Sequence, residues 1–398
     1  MAIDIPQFLQ KSPTTYNPAD WSALIEYLQN DPDIVKNQPH LLELALSAFY
    51  LGDFQQRWEI SKILTGWGKI AIPLLIEILE DEEAEEELRW YVVRILGELR
   101  SPEVVQPLVN LLNHSENEEL QAIAAATLGQ MGKIAITALT QLLQQEETKL
   151  LAVRSLSQIR HKETITPLLT VVNDANNTIR LLAIEALSSF HDSRIPPVLL
   201  QAINDVAATV RKVAIIGLGF RPELREELDL VNQLQPRLFD CNLEVCCAAV
   251  TTLSRLGGDA VAENLFPVLI SPYTPVILQI EIVRALSWMG TTSGLKYLQT
   301  AFSHPLSPTV WQEMVIVLGR VKQSDLTLLA TDILLELLEH KHPATAVNSV
   351  KSAIALSLGH LHLPKAIPSL TLLLNEPDPQ VRLHAMAALK AIRPGEEK

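Results

Sequence analysis

Ile179-Arg180-Leu181-Leu182-Ala183-Ile184-Glu185-Ala186-Leu187 decides the fold of this chain, because its pattern returns in Val210-Arg211-Lys212-Val213-Ala214-Ile215-Ile216-Gly217-Leu218 and again over residues 381–389. The alanine and the last leucine are four apart, so on a helix they share one face. Weaker copies extend the leucine row in both directions: Leu64, Leu96, Leu128, Leu156, Leu187, Leu218, Leu253, Leu286, Leu318, Leu356 and Leu389. Four residues before them stand Ile60, Val92, Ala124, Ala152, Ala183, Ala214, Ala249, Ile282, Met314, Ser352 and Ala385. Seven before them the row reads Arg57, Arg89, Gln121, Lys149, Arg180, Arg211, Cys246, Gln279, Trp311, Ser349 and Arg382. A period of roughly 30 residues means stacked repeats, not one closed core.

A second apolar segment precedes each marked helix, as at residues 72–79, 105–112, 165–172, 195–203 and 367–374, so each unit reads as a helical hairpin. Pro73, Pro107, Pro167, Pro197, Pro267 and Pro368 fall near the expected starts of these first helices, where a missing N–H costs little. Asp174, Asp205 and Glu376 each lie six places before a member of the basic row, Arg180, Arg211 and Arg382. A helix start favours negative charge, so the row is expected to form an acid-to-Arg ladder tying adjacent turns. Spacing is irregular between Leu128 and Leu156, between Leu218 and Leu253, and between Leu318 and Leu356, where altered curvature is expected.

The repeat runs without a break in composition from about residue 41 to residue 398, which reads as one solenoid. Residues 1–40 lack the repeat and are cut short by Pro6, Pro13, Pro18, Pro32 and Pro39. They are expected to form a helical cap over the first hairpin, because an end repeat must hide its outer face. Residues 393–398 read as a frayed tail. Apolar residues make up 48% and aromatics only 5%, which suits Ala/Leu-packed helices better than a large aromatic cleft. The net charge of −14 argues against general affinity for nucleic acid. No apolar run approaches the ~18 residues of a membrane helix, and the start has no basic segment followed by an apolar one, so a cytoplasmic protein without membrane insertion is expected. Three cysteines, all within residues 241–247, cannot build a disulfide framework, which fits a reducing compartment.

A two-helix unit of this length with Val-Arg-x-x-Ala-x-x-x-Leu in its second helix resembles the short HEAT repeat, in particular the phycobilisome lyase HEAT-like class. The resemblance rests on residues 179–187, 210–218 and 381–389, with weaker copies over residues 41–398. It implies an all-α, right-handed α-solenoid of about eleven two-helix repeats whose second helices line an inner, concave face. It is specific for fold and weak for function. Members of the class include bilin lyase subunits and chaperone-like proteins acting on phycobiliproteins, and a cyanobacterial HEAT protein that partners an A-type iron–sulfur carrier. The acidic balance and the run over residues 80–94 are most similar to the cyanobacterial branch. Deoxyhypusine hydroxylase, another HEAT protein, carries His-Glu pairs as iron ligands; this chain contains no His-Glu dipeptide.

Positions one, two, five and nine after the basic row lie away from the Ala/Leu stripe. Trp58 and Trp90 occupy the same place in successive repeats, Tyr91 stands beside the second, and Lys62, Arg94, Arg154 and Arg284 hold the fifth place. An aromatic shelf beside a cationic stripe suits an acidic loop of a partner protein, or a conjugated ligand with carboxylates such as a bilin. The bland alternative is that the two tryptophans pack between helices. Trp58, Lys62, Trp90, Tyr91, Arg94 and Arg154 are the expected partner-binding residues. Cys246 and Cys247 diverge by ~100° on a helix and no CxxC spacing is present, so structural thiols are expected, with a cluster shared with a partner's cysteines as the minority reading. His340, His342, His360, His362 and His384 lie at or near helix ends, where an imidazole can bond a free carbonyl. The acidic run Glu80, Asp81, Glu82, Glu83, Glu85, Glu86 and Glu87 reads as a solvated turn favoured by the following helix start, or a dock for a basic surface. No phosphate-binding Gly-rich loop is present.

These readings converge on a protein-binding scaffold, adaptor or assembly factor with no catalytic or metal site and no cofactor of its own. The alternatives are a phycobilin lyase or lyase-like subunit, and a partner of an A-type iron–sulfur carrier.

Overall fold

A computed structural model describes residues 18–31 and 34–392. Among them every regular element is helical. The chain divides into two compact units, one ending at Phe190 and the other beginning at His191. Each is an α-solenoid of stacked hairpins, five in the first and six in the second.

In the first unit the hairpins run from His40–Leu51 with Phe54–Trp67 to Ile165–Thr170 with Asn177–Ser188. Helix Pro18–Asn30 packs on the first of these hairpins. Of the expected cap, residues 1–17 lie outside the described residues, and so does the tail at 393–398. In the second unit the hairpins run from Ile195–Ala202 with Ala208–Leu218 to Ile367–Leu373 with Pro379–Ile392. Within each unit every second helix packs on the second helix of the next hairpin.

The stripe read from sequence is that seam. Ile60, Val92, Ala124, Ala152, Ala183, Ala214, Ala249, Ile282, Met314 and Ala385 are fully buried, and so are the leucines from Leu64 to Leu318. Each leucine contributes about 2 kcal/mol relative to exposure. Small residues set the helix separation. A Cβ on Gly319 would stand 2.4 Å from Ser357 Cβ, so the bare backbone there lets two second helices touch.

The register differs in one repeat. Leu356 is 38% exposed, while Ile354 and Leu358 are fully buried, so the seam in helix Asn348–Leu361 runs two residues later than the leucine row places it. Lys351, not Ser349, then holds the basic-row position. Pro267 also departs from expectation: its helix starts early, at Asp259 after the positive-φ pair Gly257 and Gly258, which places the proline inside Asp259–Ile270. Irregular spacing is absorbed by helix length. The close pair Leu128 and Leu156 flanks a seven-residue first helix, Ile136–Leu142, and the wide gap after Leu318 holds the sixteen-residue Ser324–Glu339.

Residues Glu118–Leu142 are long and apolar enough, by composition, to cross a membrane, contrary to the sequence reading. The segment is not one rod. Gly132, at φ 70°, ends helix Glu118–Met131, a 3-10 turn follows, and Ile136–Leu142 is a separate helix whose Ile136, Leu139 and Leu142 are buried.

The basic row forms an acid-to-base ladder between adjacent turns and adds bonds to the backbone that spacing alone did not show. Its arginines satisfy carbonyls left free where their own hairpin turns, as helix C-termini require. Arg180 Nη1 donates to the Asp174 and Ala175 carbonyls at 2.9 and 3.1 Å. Arg211 Nη1 does so to Asp205 and Val206 at 2.8 and 3.1 Å, and Arg382 Nη1 to Glu376 and Pro377, both at 2.7 Å. The carboxylate six places before a row member is taken instead by the row member of the preceding repeat. Lys149 reaches Asp174 at 3.1 Å, Arg211 grips Asp240 at 2.6 and 2.8 Å, and Lys351 reaches Glu376 at 2.8 Å. Backbone carbonyl and side-chain carboxylate of one residue thus tie two repeats together.

Cys246 fits this scheme. Its thiol donates to the Asp240 carbonyl at 3.2 Å, taking the role Arg plays elsewhere in the row.

Candidate functional site

Trp58 lies on helix Phe54–Trp67, and Trp90, Tyr91 and Arg94 on the neighbouring Glu86–Leu99. Helix periodicity puts Arg94 one turn beyond Trp90. Stacking of the two helices brings its guanidinium against both tryptophans, 5.0 Å from the Trp58 ring centroid and 5.1 Å from that of Trp90. Lys62 covers Trp58 at 5.5 Å and pairs with Glu59 at 3.0 Å. Cation–ring contacts of this kind contribute about 0.5–1 kcal/mol each at exposed sites. Among the described residues Arg94 makes no ion pair, so its charge is held in place but not neutralised.

The two indoles are half-buried and Lys62 is exposed. Tyr91 is different: it is 2% exposed and meets Phe49, Phe54 and Trp90 edge-on at 6.1, 6.1 and 5.5 Å. Burial pushes its hydroxyl pKa up, and Glu87 adds to the rise. Tyr91 therefore backs the shelf and offers no contact surface. Arg154 is exposed on Glu146–Gln158, separated from Arg94 by the intervening second helix Glu118–Met131. Trp58, Lys62, Trp90 and Arg94 form one cluster, and Arg154 stands apart from it.

The second unit carries a surface that the sequence reading did not single out. A groove of about 620 Å³ is lined by four cations, Arg255, Arg284, Arg320 and Lys322, against one carboxylate, Glu281. Trp288 stands in the same groove and is 68% exposed. Arg284 is paired, to Glu313 at 2.7 Å and Glu281 at 3.1 Å, and the Glu313 hydrogen bond pushes its pKa up. Among the described residues Arg255, Arg320 and Lys322 make no ion pair. Arg255 lies over the Phe220 ring at 5.5 Å. A signal was present: counted from the basic row in its structural register, the ninth place reads Phe220, Arg255, Trp288, Arg320 and His360 in successive repeats.

The three cysteines differ in environment, although Cys241 and Cys246 both contact Asp240. Cys241 is exposed and Cys246 buried. Burial pushes the thiols of Cys246 and Cys247 up, which disfavours the nucleophilic thiolate. His340, His342 and His362 meet backbone carbonyls, whereas His384 meets a side chain. His342 Nε2 is 2.8 Å from the Phe302 carbonyl, and its Nδ1 accepts the Ala344 N–H at 3.0 Å, so that bond assigns the donating proton to Nε2. His340 Nδ1 is 3.1 Å from the Glu336 carbonyl, and His384 Nδ1 is 2.7 Å from Ser352 Oγ. Among the described residues no three His, Cys, Asp or Glu side chains gather to hold a metal ion.

In the acidic turn, Glu85 and Glu87 are engaged by Arg57 at 2.7 and 3.1 Å across a repeat boundary. They are part of the stack.

Residues 72–151 and 136–219 match a family model described as HEAT repeats. No curated protein matches the chain in sequence. Among solved structures, the chain is similar to Kap121p bound to Nup53p, with 13% identity and a TM-score of 0.59 over 94% of this chain and 47% of that one. It is equally similar to Kap121p bound to Ste12p, with 14% identity, TM-score 0.59 and the same coverage. Human deoxyhypusine hydroxylase in complex with glycerol aligns at 18% identity and a TM-score of 0.29, over 65% of this chain and 95% of that one. The chain spans about half the length of the Kap121p it matches, and that likeness shows the fold alone. The matching family model marks HEAT repeats over residues 72–219, and the stacked hairpins and buried Ala/Leu seam of each unit make it an α-solenoid.

Proposed function

We propose that this protein is a HEAT-repeat scaffold, acting in the cytoplasm, that binds a partner protein through the second-helix face of its first unit, with Trp58, Arg94 and Trp90 as the centre of contact. The observation that carries this reading is the Arg94 guanidinium set against two half-exposed indoles with no carboxylate paired to it among the described residues. Rigid rings offer contact area at low entropic cost, and a fixed, unneutralised cation among them selects an acidic group. Kap121p, similar in fold, is bound to protein partners in both structures named above, which supports a protein-binding use of such a stack.

A narrower form of this reading is a phycobilin lyase subunit acting on phycobiliproteins; another is a partner of an A-type iron–sulfur carrier. Absorbance separates them. A bilin held extended shifts its visible band on addition of the protein, whereas a carrier complex appears as co-elution without such a shift.

The test is quantitative capture of partners by the tagged full chain from its native cell, beside the Trp58→Ala, Trp90→Ala double variant. Binding is expected to fall at least tenfold, about 1.4 kcal/mol, with helix content unchanged. A folded double variant that captures the same partners at wild-type affinity overturns the proposed contact surface.

A further inference from the structure

The second unit's groove is assembled by three consecutive second helices, Leu243–Leu256, Val276–Trp288 and Pro308–Leu318, with the turn after the last closing one side. Packed helices stand about 10 Å apart, so three of them span roughly 20 Å. That is the reach of about six residues of extended chain, longer than a single phosphate or carboxylate. Along this span Arg255, Trp288 and Arg320 occupy one equivalent place in successive repeats, Arg320 just past the end of its helix, so cation, ring and cation follow one another across the groove. Arg284 is neutralised by Glu281 and Glu313, which leaves Arg255, Arg320 and Lys322 as charges with no carboxylate partner among the described residues. In a chain of net charge −14 such a concentration of unpaired cations runs against the average surface.

We propose that this groove binds an extended acidic segment of a partner protein, its carboxylates on Arg255 and Arg320 and an apolar side chain between them on Trp288. The inference rests on the protein-binding reading above but uses a different unit and different residues. Charge complementarity supplies the selection: an uncharged segment gains nothing from the three free cations, and a basic one is repelled. The exposed indole supplies an anchor for the apolar side chain.

The experiment uses the full chain and three fluorescein-labelled eight-residue peptides with a central leucine: one of alternating Asp and Glu, its Asn/Gln counterpart, and one with Lys at the acidic positions. Anisotropy at low and high salt reads the affinity. The acidic peptide is expected to bind at least tenfold more tightly than the amide peptide and to weaken as salt rises. Arg255→Glu with Arg320→Glu should lower its affinity at least tenfold and flatten the salt dependence. Both side chains are exposed and lie off the buried seam, so the fold should persist, and Lys322→Glu provides an independent variant with the same direction of effect. Trp288→Ala should weaken binding severalfold while keeping the salt dependence.

Equal binding of acidic and amide peptides, or wild-type affinity in the folded Arg255→Glu, Arg320→Glu variant, overturns the proposal. So does tighter binding of a labelled single-stranded oligonucleotide, which would assign the groove to phosphates, or a self-association removed by the same variant, which would assign it to a second copy of this chain. If the peptide fails while capture through Trp58 and Trp90 persists, only this inference falls. If capture is absent as well, the scaffold reading falls with it.

Discussion

The two units present their second-helix faces with the same side-chain types in opposite arrangements. In the first, Trp58 and Trp90 flank a single guanidinium, and the nearby Lys62 is paired to Glu59. In the second, one exposed ring, Trp288, has Arg255 on the preceding second helix and Arg320 and Lys322 in the turn after the following one, none of them in an ion pair among the described residues. The contrast follows from position in the repeat. First-place aromatics and a fifth-place arginine on neighbouring helices converge, because one helical turn brings them level, whereas ninth-place residues lie at or just past the ends of their helices. A preformed cluster loses little side-chain freedom on binding and suits a compact contact; separated charges suit an extended one. Both faces depend on the same seam and the same row of turn contacts.

The largest expected effect concerns that shared seam. Ala183→Asp in the first unit and Ala214→Asp in the second place a carboxylate at a fully buried position in the apolar seam. Each should cost about 4 kcal/mol in chemical denaturation. An unchanged midpoint for either variant would mean that the two units do not share one register, and the comparison of their faces by repeat position would lose its basis.

The next separates the units. Arg211 and Asp240 form a bidentate pair in which Asp240 is only 4% exposed, while Arg57 meets Glu85 and Glu87, which are 67% and 52% exposed. Removing Arg211 leaves the buried carboxylate with the Asn242 N–H and a distant Arg237 at 3.9 Å and frees two carbonyls, so Arg211→Ala should cost about 3 kcal/mol. Arg57→Ala should cost about 1 kcal/mol, since its partners return to water. Denaturation of the two variants side by side checks the ranking. Acid sharpens it. Burial would raise the Asp240 carboxyl, but Arg211 and the Asn242 N–H outweigh that and hold its pKa below the ordinary aspartate value. A depressed folded pKa gives stability that is present above the unfolded value of about 3.9 and is lost as pH falls through the folded one. Below about pH 4, Asp240→Asn should therefore lose less stability per pH unit than wild type. An identical slope would remove this pair from the acid transition.

Much of this was legible in the sequence, and the parts that were not have physical reasons. Ala183, Ala214 and their counterparts identify the seam because a buried helix face tolerates only small or apolar side chains, at helical spacing, in every repeat. Trp58 and Trp90 were visible because they repeat in one place. Arg94 was visible as a cation, though its position between the rings depends on how two helices stack. Tyr91 was misplaced because adjacent helical positions differ by ~100°, enough to turn it from the face into the core. The second unit's groove was missed because its ninth place alternates between ring and cation and so shows no conserved type from repeat to repeat. The closing turn over residues 319–323 has no periodic signal at all. The ladder was half-read: acids at the right spacing pointed to the basic row, but a backbone carbonyl leaves no mark in a sequence.

The smallest expected effect tests the one register that the leucine row misplaced. Residues 352–359, Ser-Ala-Ile-Ala-Leu-Ser-Leu-Gly, are all small or apolar, so a frame on Ser352 and Leu356 and a frame on Ile354 and Leu358 both give an acceptable stripe. Contacts decide between them. Lys351 reaches Glu376 at 2.8 Å as Lys149 reaches Asp174 at 3.1 Å in the first unit, each across 25 residues, whereas Ser349 is exposed. The Lys351–Glu376 pair is partly solvated, with side chains 17% and 27% exposed, so its loss is discounted for screening. Lys351→Ala should cost about 0.5–1 kcal/mol, and Ser349→Ala less than about 0.5 kcal/mol. Lys149→Ala should move stability in the same direction as Lys351→Ala. If Ser349→Ala proves the more damaging of the two neighbouring variants, the basic row passes through Ser349 after all. The ninth place of that repeat would then fall on the buried Leu358 in place of the exposed His360, ending the second unit's aromatic and cationic row at Arg320.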